Sequence, residues 1–131
     1  MAKQQLEYQL QKQVCAYLNA QYPNVMYLSD TIASCKLTIL QAVRNKAIQK
    51  NDFKCPDLII LEPKGEYHGL MIELKIKSPF KKSGEVLSNE HLIGQQHTIT
   101  NLINKGYYAT FATGFDEAKK IIDNYMKDLY L

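Results

Sequence analysis

Apolar positions along this chain alternate between two periods. From Ala2 to Gln21, Leu6, Leu10, Val14, Tyr17 and Leu18 recur at three- and four-residue steps, the spacing that lines one face of an α-helix. Tyr22-Pro23-Asn24 ends that pattern, and Val25-Met26-Tyr27-Leu28 reads as a short strand. The helical period returns from Leu37 to Gln49. It predicts an amphipathic helix with Leu37, Leu40, Val43 and Ala47 turned inward and Arg44, Lys46 and Lys50 outward. Next come an apolar run, Leu58-Ile59-Ile60-Leu61, and an alternating run from Leu70 to Lys77. They flank the polar break Glu62-Pro63-Lys64-Gly65-Glu66 and so predict a β-hairpin. A third helix is expected from about Asn89 to Lys105 on the stripe Leu92, Ile99, Leu102 and Ile103, with Gly106 stopping it. Tyr107 to Thr113 forms a fourth strand. Asp116 then caps a last helix with the stripe Ala118, Ile121, Ile122, Tyr125, Met126 and Leu129. The element order is αβαββαβα.

The hairpin carries the candidate chemistry. Alternation puts Glu73, Lys75 and Lys77 on one face of their strand and Ile72, Leu74 and Ile76 on the other. Folding about Gly65 sets Asp57 opposite Glu73, each equally far from the turn, with side-chain roots about 5 Å apart. Two facing carboxylates repel unless a cation sits between them. A hard divalent ion such as Mg2+ or Mn2+ prefers such oxygen ligands, and there it would polarise a phosphodiester and acidify water. Lys75, two residues along the same face, would orient that water or neutralise developing charge. The competing reading is a solvated hairpin with an ion pair of little energetic weight. Pro56 before Asp57 and the unbroken apolar run after it favour a buried strand start instead.

Composition narrows the class without deciding it. A chain of 131 residues is one domain, 1–131, large enough for a single core. With 46% apolar and 22% charged residues it reads as globular rather than disordered. The net charge of +3 is compatible with a nucleic-acid partner but too small to demand one. Cys15, Cys35 and Cys55 are odd in number and widely spaced, which suits neither a disulfide framework nor a zinc site and points to reduced thiols. A polar N-terminus and the lack of a long apolar run predict a soluble, cytoplasmic protein without a membrane partner. No glycine-rich phosphate loop is present, so no organic cofactor is expected.

Pro56-Asp57 followed by Glu73-Leu74-Lys75 resembles the signature of the PD-(D/E)XK nuclease superfamily. Downstream come Gln95 on a predicted helix, then Gly106-Tyr107-Tyr108-Ala109, then Gly114-Phe115-Asp116-Glu117-Ala118. That succession resembles the VRR-NUC domain, the virus-type replication-repair nuclease, in its compact form, from about Leu6 to the C-terminus. The resemblance implies an α/β restriction-endonuclease-like fold with a mixed β-sheet flanked by helices. It also implies Mg2+- or Mn2+-dependent hydrolysis of DNA phosphodiesters. Asp57, Glu73 and the backbone carbonyl of Leu74 would hold the metal, Lys75 would serve the water, and Gln95 would position water or substrate. Because the family places a first-helix glutamate near the metal, Glu7 is a further candidate ligand. Compact members are associated with branched DNA, notably four-way (Holliday) junctions cut by a homodimer, and larger ones with flaps.

Two departures stand out. The family commonly has glycine before the Pro-Asp pair, where this chain has Cys55, and often glycine in the segment here reading Ser29-Asp30-Thr31-Ile32-Ala33-Ser34. Beyond the signature, Lys77, Lys81 and Lys82 lie on the strand end and the loop after it, where a DNA backbone could be met. His91 stands one helical turn before Gln95 as a lesser candidate. The rival functions are a DNA-binding module of the same fold that does not cut, and a small basic interaction protein with an incidental motif.

Overall fold

The computed structural model describes residues 2–29 and 36–130. In chain order the elements are α1 (Lys3–Gln21), β1 (Tyr27–Ser29), α2 (Ile39–Ile48), β2 (Leu58–Ile60), β3 (Leu70–Lys75), α3 (Glu90–Asn104), β4 (Tyr108–Thr113) and α4 (Gly114–Met126). This is the order that the apolar periods predict. The strands form one sheet in the order β1-β2-β3-β4. The first three are antiparallel neighbours, and β4 runs parallel to β3 after the α3 crossover. A mixed sheet flanked by helices is therefore the architecture.

Strand alternation sorts side chains between the two faces of this sheet. Leu58, Ile60, Leu70, Ile72 and Leu74 point to one side, where they join Leu10, Val14 and Leu18 of α1 and Ala118, Ile122 and Tyr125 of α4 in the main core. Met71, Ala109 and Phe111 point to the other and pack with Ile99 of α3, with Ile59 half-buried beside them. The α4 stripe works as its spacing predicts through Ile122 and Tyr125, whereas Leu129 beyond the helix is exposed. The chain end packs on its own core: Tyr130 stacks on Tyr108 with ring centroids 4.4 Å apart, and the Tyr125 hydroxyl donates to the Glu62 carbonyl at 2.7 Å.

Several boundaries and faces differ from the sequence expectation. The N-cap position of α4 is Thr113, and Asp116 lies inside its first turn. There a carboxylate favours the helix dipole without closing a cap hydrogen bond. β1 is shorter than Val25–Leu28 and shifted to Tyr27–Ser29. In α3, Ile103 is half exposed, and the helix buries Gln95, Thr98 and Ile99 instead.

The largest difference concerns α2. Thr38 and Gln41 close a capping box at its start, as helix-entry chemistry requires, yet none of its residues is buried. Ile39 is 87% exposed and Val43 61%. The inward assignment of Leu40, Val43 and Ala47 is overturned, and Leu37 precedes the helix. Periodicity had identified an apolar stripe correctly but could not say that this fold leaves it uncovered. Asp30 to Ser34 of the irregular segment, and Cys35, lie outside the described residues. Cys15 and Cys55 are half-buried.

Candidate active site

The register of the β2–β3 hairpin pairs Leu58 with Ile72, Ile59 with Met71 and Ile60 with Leu70. Continued by one residue, it sets Asp57 against Glu73, the pairing that folding about Gly65 predicts. Asp57 shares its parity with Ile59, and Glu73 with Met71, so both carboxylates belong to the face covered by α3. Glu73 is 5% exposed, deep for a carboxylate. The backbone N–H of Leu74 donates to Oδ2 of Asp57 at 2.8 Å, fastening that carboxylate to β3 beside Glu73. From the far side Gln11 of α1 donates through Nε2 to the Asp57 carbonyl at 3.2 Å and to Oγ of Ser29 at 2.7 Å. Glu7 sits one turn before Gln11 on the same helix face.

Lys75 ends β3, with its Nζ 5.9 Å from the centroid of the Phe111 ring. Its stem thus runs along the same face, over apolar surface, while the ammonium reaches the rim. Above this face lies α3. Its Ile99 packs with Met71 and Phe111, and Gln95, one turn earlier, is equally buried at 5% exposure. Among the described residues, Oε1 of Gln95 is a buried side-chain oxygen without a hydrogen-bond partner. Leaving such an acceptor unsatisfied costs about 1–3 kcal/mol, so the atom is placed to meet something further.

His91 reports the electrostatics of the rim. Burial lowers its pKa, Lys75 and Lys54 lower it further, and Glu7 partly opposes them. Lys75, Lys54 and Glu7 are thus all near enough to His91 for their charges to act on it. Lys54 has no mark in the sequence spacing, and only the packing of its segment on α3 brings it beside Gln95. Lys77, Lys81 and Lys82 are exposed beyond the end of β3. Their loop is tied down by the Lys81 N–H to the Glu85 carbonyl at 2.7 Å, the Leu87 N–H to the Pro79 carbonyl at 2.8 Å, and Phe80 edge-on to Phe111. His68, which has no assignable role in the sequence, packs on Tyr107 and fills the space a side chain at Gly106 would need.

The donor set at Asp57 and Glu73 is all oxygen, which suits Mg2+ or Mn2+. Among the described residues no group of three His, Cys, Asp or Glu side chains is arranged to hold a metal. The two carboxylates would thus need backbone or water oxygens to complete a ligand shell, and Glu7 is not gathered with them into such a group.

The architecture is that of an α/β nuclease-type fold, and a solved structure agrees. The chain is similar to a structure described as a VRR_NUC domain protein, with a TM-score of 0.64 and 26% sequence identity, over 92% of this chain and 88% of that one. The resemblance carried by Asp57, Glu73 and Lys75 thus extends through nearly the whole domain. No protein-family model matches the chain, and no curated protein matches it. Among the described residues no helix is long and apolar enough to cross a membrane.

Proposed function

We propose that this protein is a metal-dependent DNA endonuclease that hydrolyses phosphodiesters in branched DNA. The observation that carries the reading is Asp57 fastened to the Leu74 N–H beside buried Glu73, on the sheet face that α3 covers. Two carboxylates brought together at such depth repel each other, and a cation between them relieves that repulsion. Asp57, Glu73 and the Leu74 carbonyl would hold Mg2+ or Mn2+, with water oxygens completing the shell. When bound, the ion supplies Lewis-acid polarisation of the phosphodiester and acidifies water.

The chain's own groups do the rest. Lys75 presents a positive charge to the phosphate as charge develops on its oxygens, and orients the attacking water. Gln95 offers its unpartnered Oε1 to a water proton, holding that water in line. Lys77, Lys81 and Lys82 meet backbone phosphates leaving the cleft. A two-fold junction needs paired cuts, so we assign a homodimer, with the uncovered face of α2 as its surface. Ile39, Leu40 and Val43, all largely exposed, fall within one sector of about 100° on α2 and supply its apolar face.

The test is a panel of labelled linear, flap, fork and four-way DNA substrates with magnesium. Asp57→Asn, Glu73→Gln and Lys75→Ala should each abolish cleavage without loss of fold, with Lys75→Ala retaining DNA binding. Wild-type cutting rates in Lys75→Ala would overturn the chemistry. Wild-type binding to the junction without any cutting would favour the alternative, a non-cleaving DNA-binding module. Sedimentation equilibrium of wild type and Val43→Ser decides the dimer and its surface.

A further inference from the structure

The helix α3 carries a glycine in its middle. Gly94 costs about 1 kcal/mol there relative to alanine, and what it makes room for is Lys54. A Cβ at position 94 would stand 3.1 Å from Cε of Lys54, 3.5 Å from its Cγ and 3.9 Å from its Cδ. The lysine stem therefore lies flat along the bare backbone of α3 at the residue next to Gln95. Its own backbone is held as well: the Lys54 N–H donates to Oγ1 of Thr98 at 3.0 Å, and Thr98 is buried on the same helix. Two contacts thus fix a lysine three residues before Asp57, where a loop would otherwise leave it to wander.

We propose that Lys54 is a substrate-binding residue of the cleft, a second cation that grips a DNA phosphate next to the one served by Lys75. The inference rests on the nuclease reading and extends it. Lys54 and Lys75 come from different elements, the segment before β2 and the end of β3, and both act on His91, one turn from Gly94. The stem of Lys54 lies against α3 beside Gln95, and Lys75 approaches Phe111 on the sheet face that α3 covers, so an anionic backbone crossing that face would meet a positive charge from each element. A single strand of DNA offers successive phosphates, so two separated cations also set its direction across Asp57 and Glu73.

The test measures binding of a fluorescein-labelled four-way DNA junction without divalent ions, across a range of salt concentrations. Lys54→Gln should weaken binding about three- to tenfold at low salt and make the log–log salt slope shallower by about one. Lys54→Arg should restore both, and Lys127→Gln, at the end of α4, should leave both at wild-type values. Gly94→Ala should keep or raise the melting temperature while weakening binding, because its methyl group displaces the lysine stem. With magnesium, Lys54→Gln should raise KM more than it lowers kcat. An affinity and slope unchanged in Lys54→Gln, in a wild-type protein that does bind the junction, would overturn the proposal and leave the nuclease reading standing. A wild-type protein that fails to bind DNA at all overturns both.

Discussion

On the face of the sheet covered by α1 and α4, Leu10, Val14, Leu18, Leu58, Ile72 and Ile122 close on one another in an apolar core. On the face covered by α3, a smaller apolar cluster around Met71, Ile99 and Phe111 shares its space with buried Glu73, Gln95 and Thr98. One sheet therefore serves two purposes because alternate residues of each strand meet different helices. The first face has apolar contacts to spare and supplies stability. The second gives some up to hold a carboxylate and an unpartnered amide oxygen away from solvent, where charge interactions are stronger.

The sharpest way to break this contrast is to truncate one residue on each side. Leu18→Ala should cost about 2–5 kcal/mol in denaturant unfolding while surviving folded protein keeps its activity. Glu73→Gln should show the reverse. A Glu73→Gln variant destabilised as much as Leu18→Ala would mean that the carboxylate is structural.

A polar cluster also exists on the stable side, and it offers a pH test. Asp123 of α4 accepts hydrogen bonds from the hydroxyls of Tyr17 and Tyr22, and Nζ of Lys119 approaches it at 3.0 Å. Burial pulls its pKa upward, but those three partners outweigh burial and hold it below the ordinary 3.8. The folded state therefore binds this proton less readily than the unfolded state. Its contribution is complete above about pH 5 and fades as pH falls through the depressed pKa. Asp123→Asn should cost about 1–3 kcal/mol at pH 7, and that difference should shrink when melting is followed down to pH 2. A cost independent of pH would place the effect in packing rather than charge.

Metal should act on the α3 face alone. Magnesium at a large excess over its dissociation constant should add about 2–3 kcal/mol to wild-type stability, seen as a higher melting temperature. It should add nothing to Asp57→Asn, which without metal should match or slightly exceed wild type because a repulsion is gone. Equal shifts in both proteins would locate the ion elsewhere.

The smallest effect on stability is expected at Gln95. Replacing it with leucine removes a buried oxygen without a protein partner, so Gln95→Leu should leave the unfolding midpoint within about 1 kcal/mol of wild type or raise it. Cleavage should fall all the same. A large stability loss would instead show that the amide holds α3 in place.

Much of this molecule was legible as a string of letters. The apolar periods determined the element order, because burial on one face of a helix or strand imposes 3.6- or 2-residue spacing locally. Folding about Gly65 anticipated the register that pairs Leu58 with Ile72 and so brings Asp57 towards Glu73, although the turn itself pairs Lys64 with Tyr67, one residue out of step with the strands. Long-range packing decided the rest. Gln95 was named by resemblance, but only the docking of α3 on Met71 and Phe111 buried it. Lys54 has no periodic signature and lies against α3 because Gly94 and Thr98, some forty residues away in the chain, make a berth for it. The stripe on α2 reads like those of α1 and α4, yet stays uncovered. A hydrophobic face states that a partner is needed, and only the tertiary structure says whether the same chain provides one.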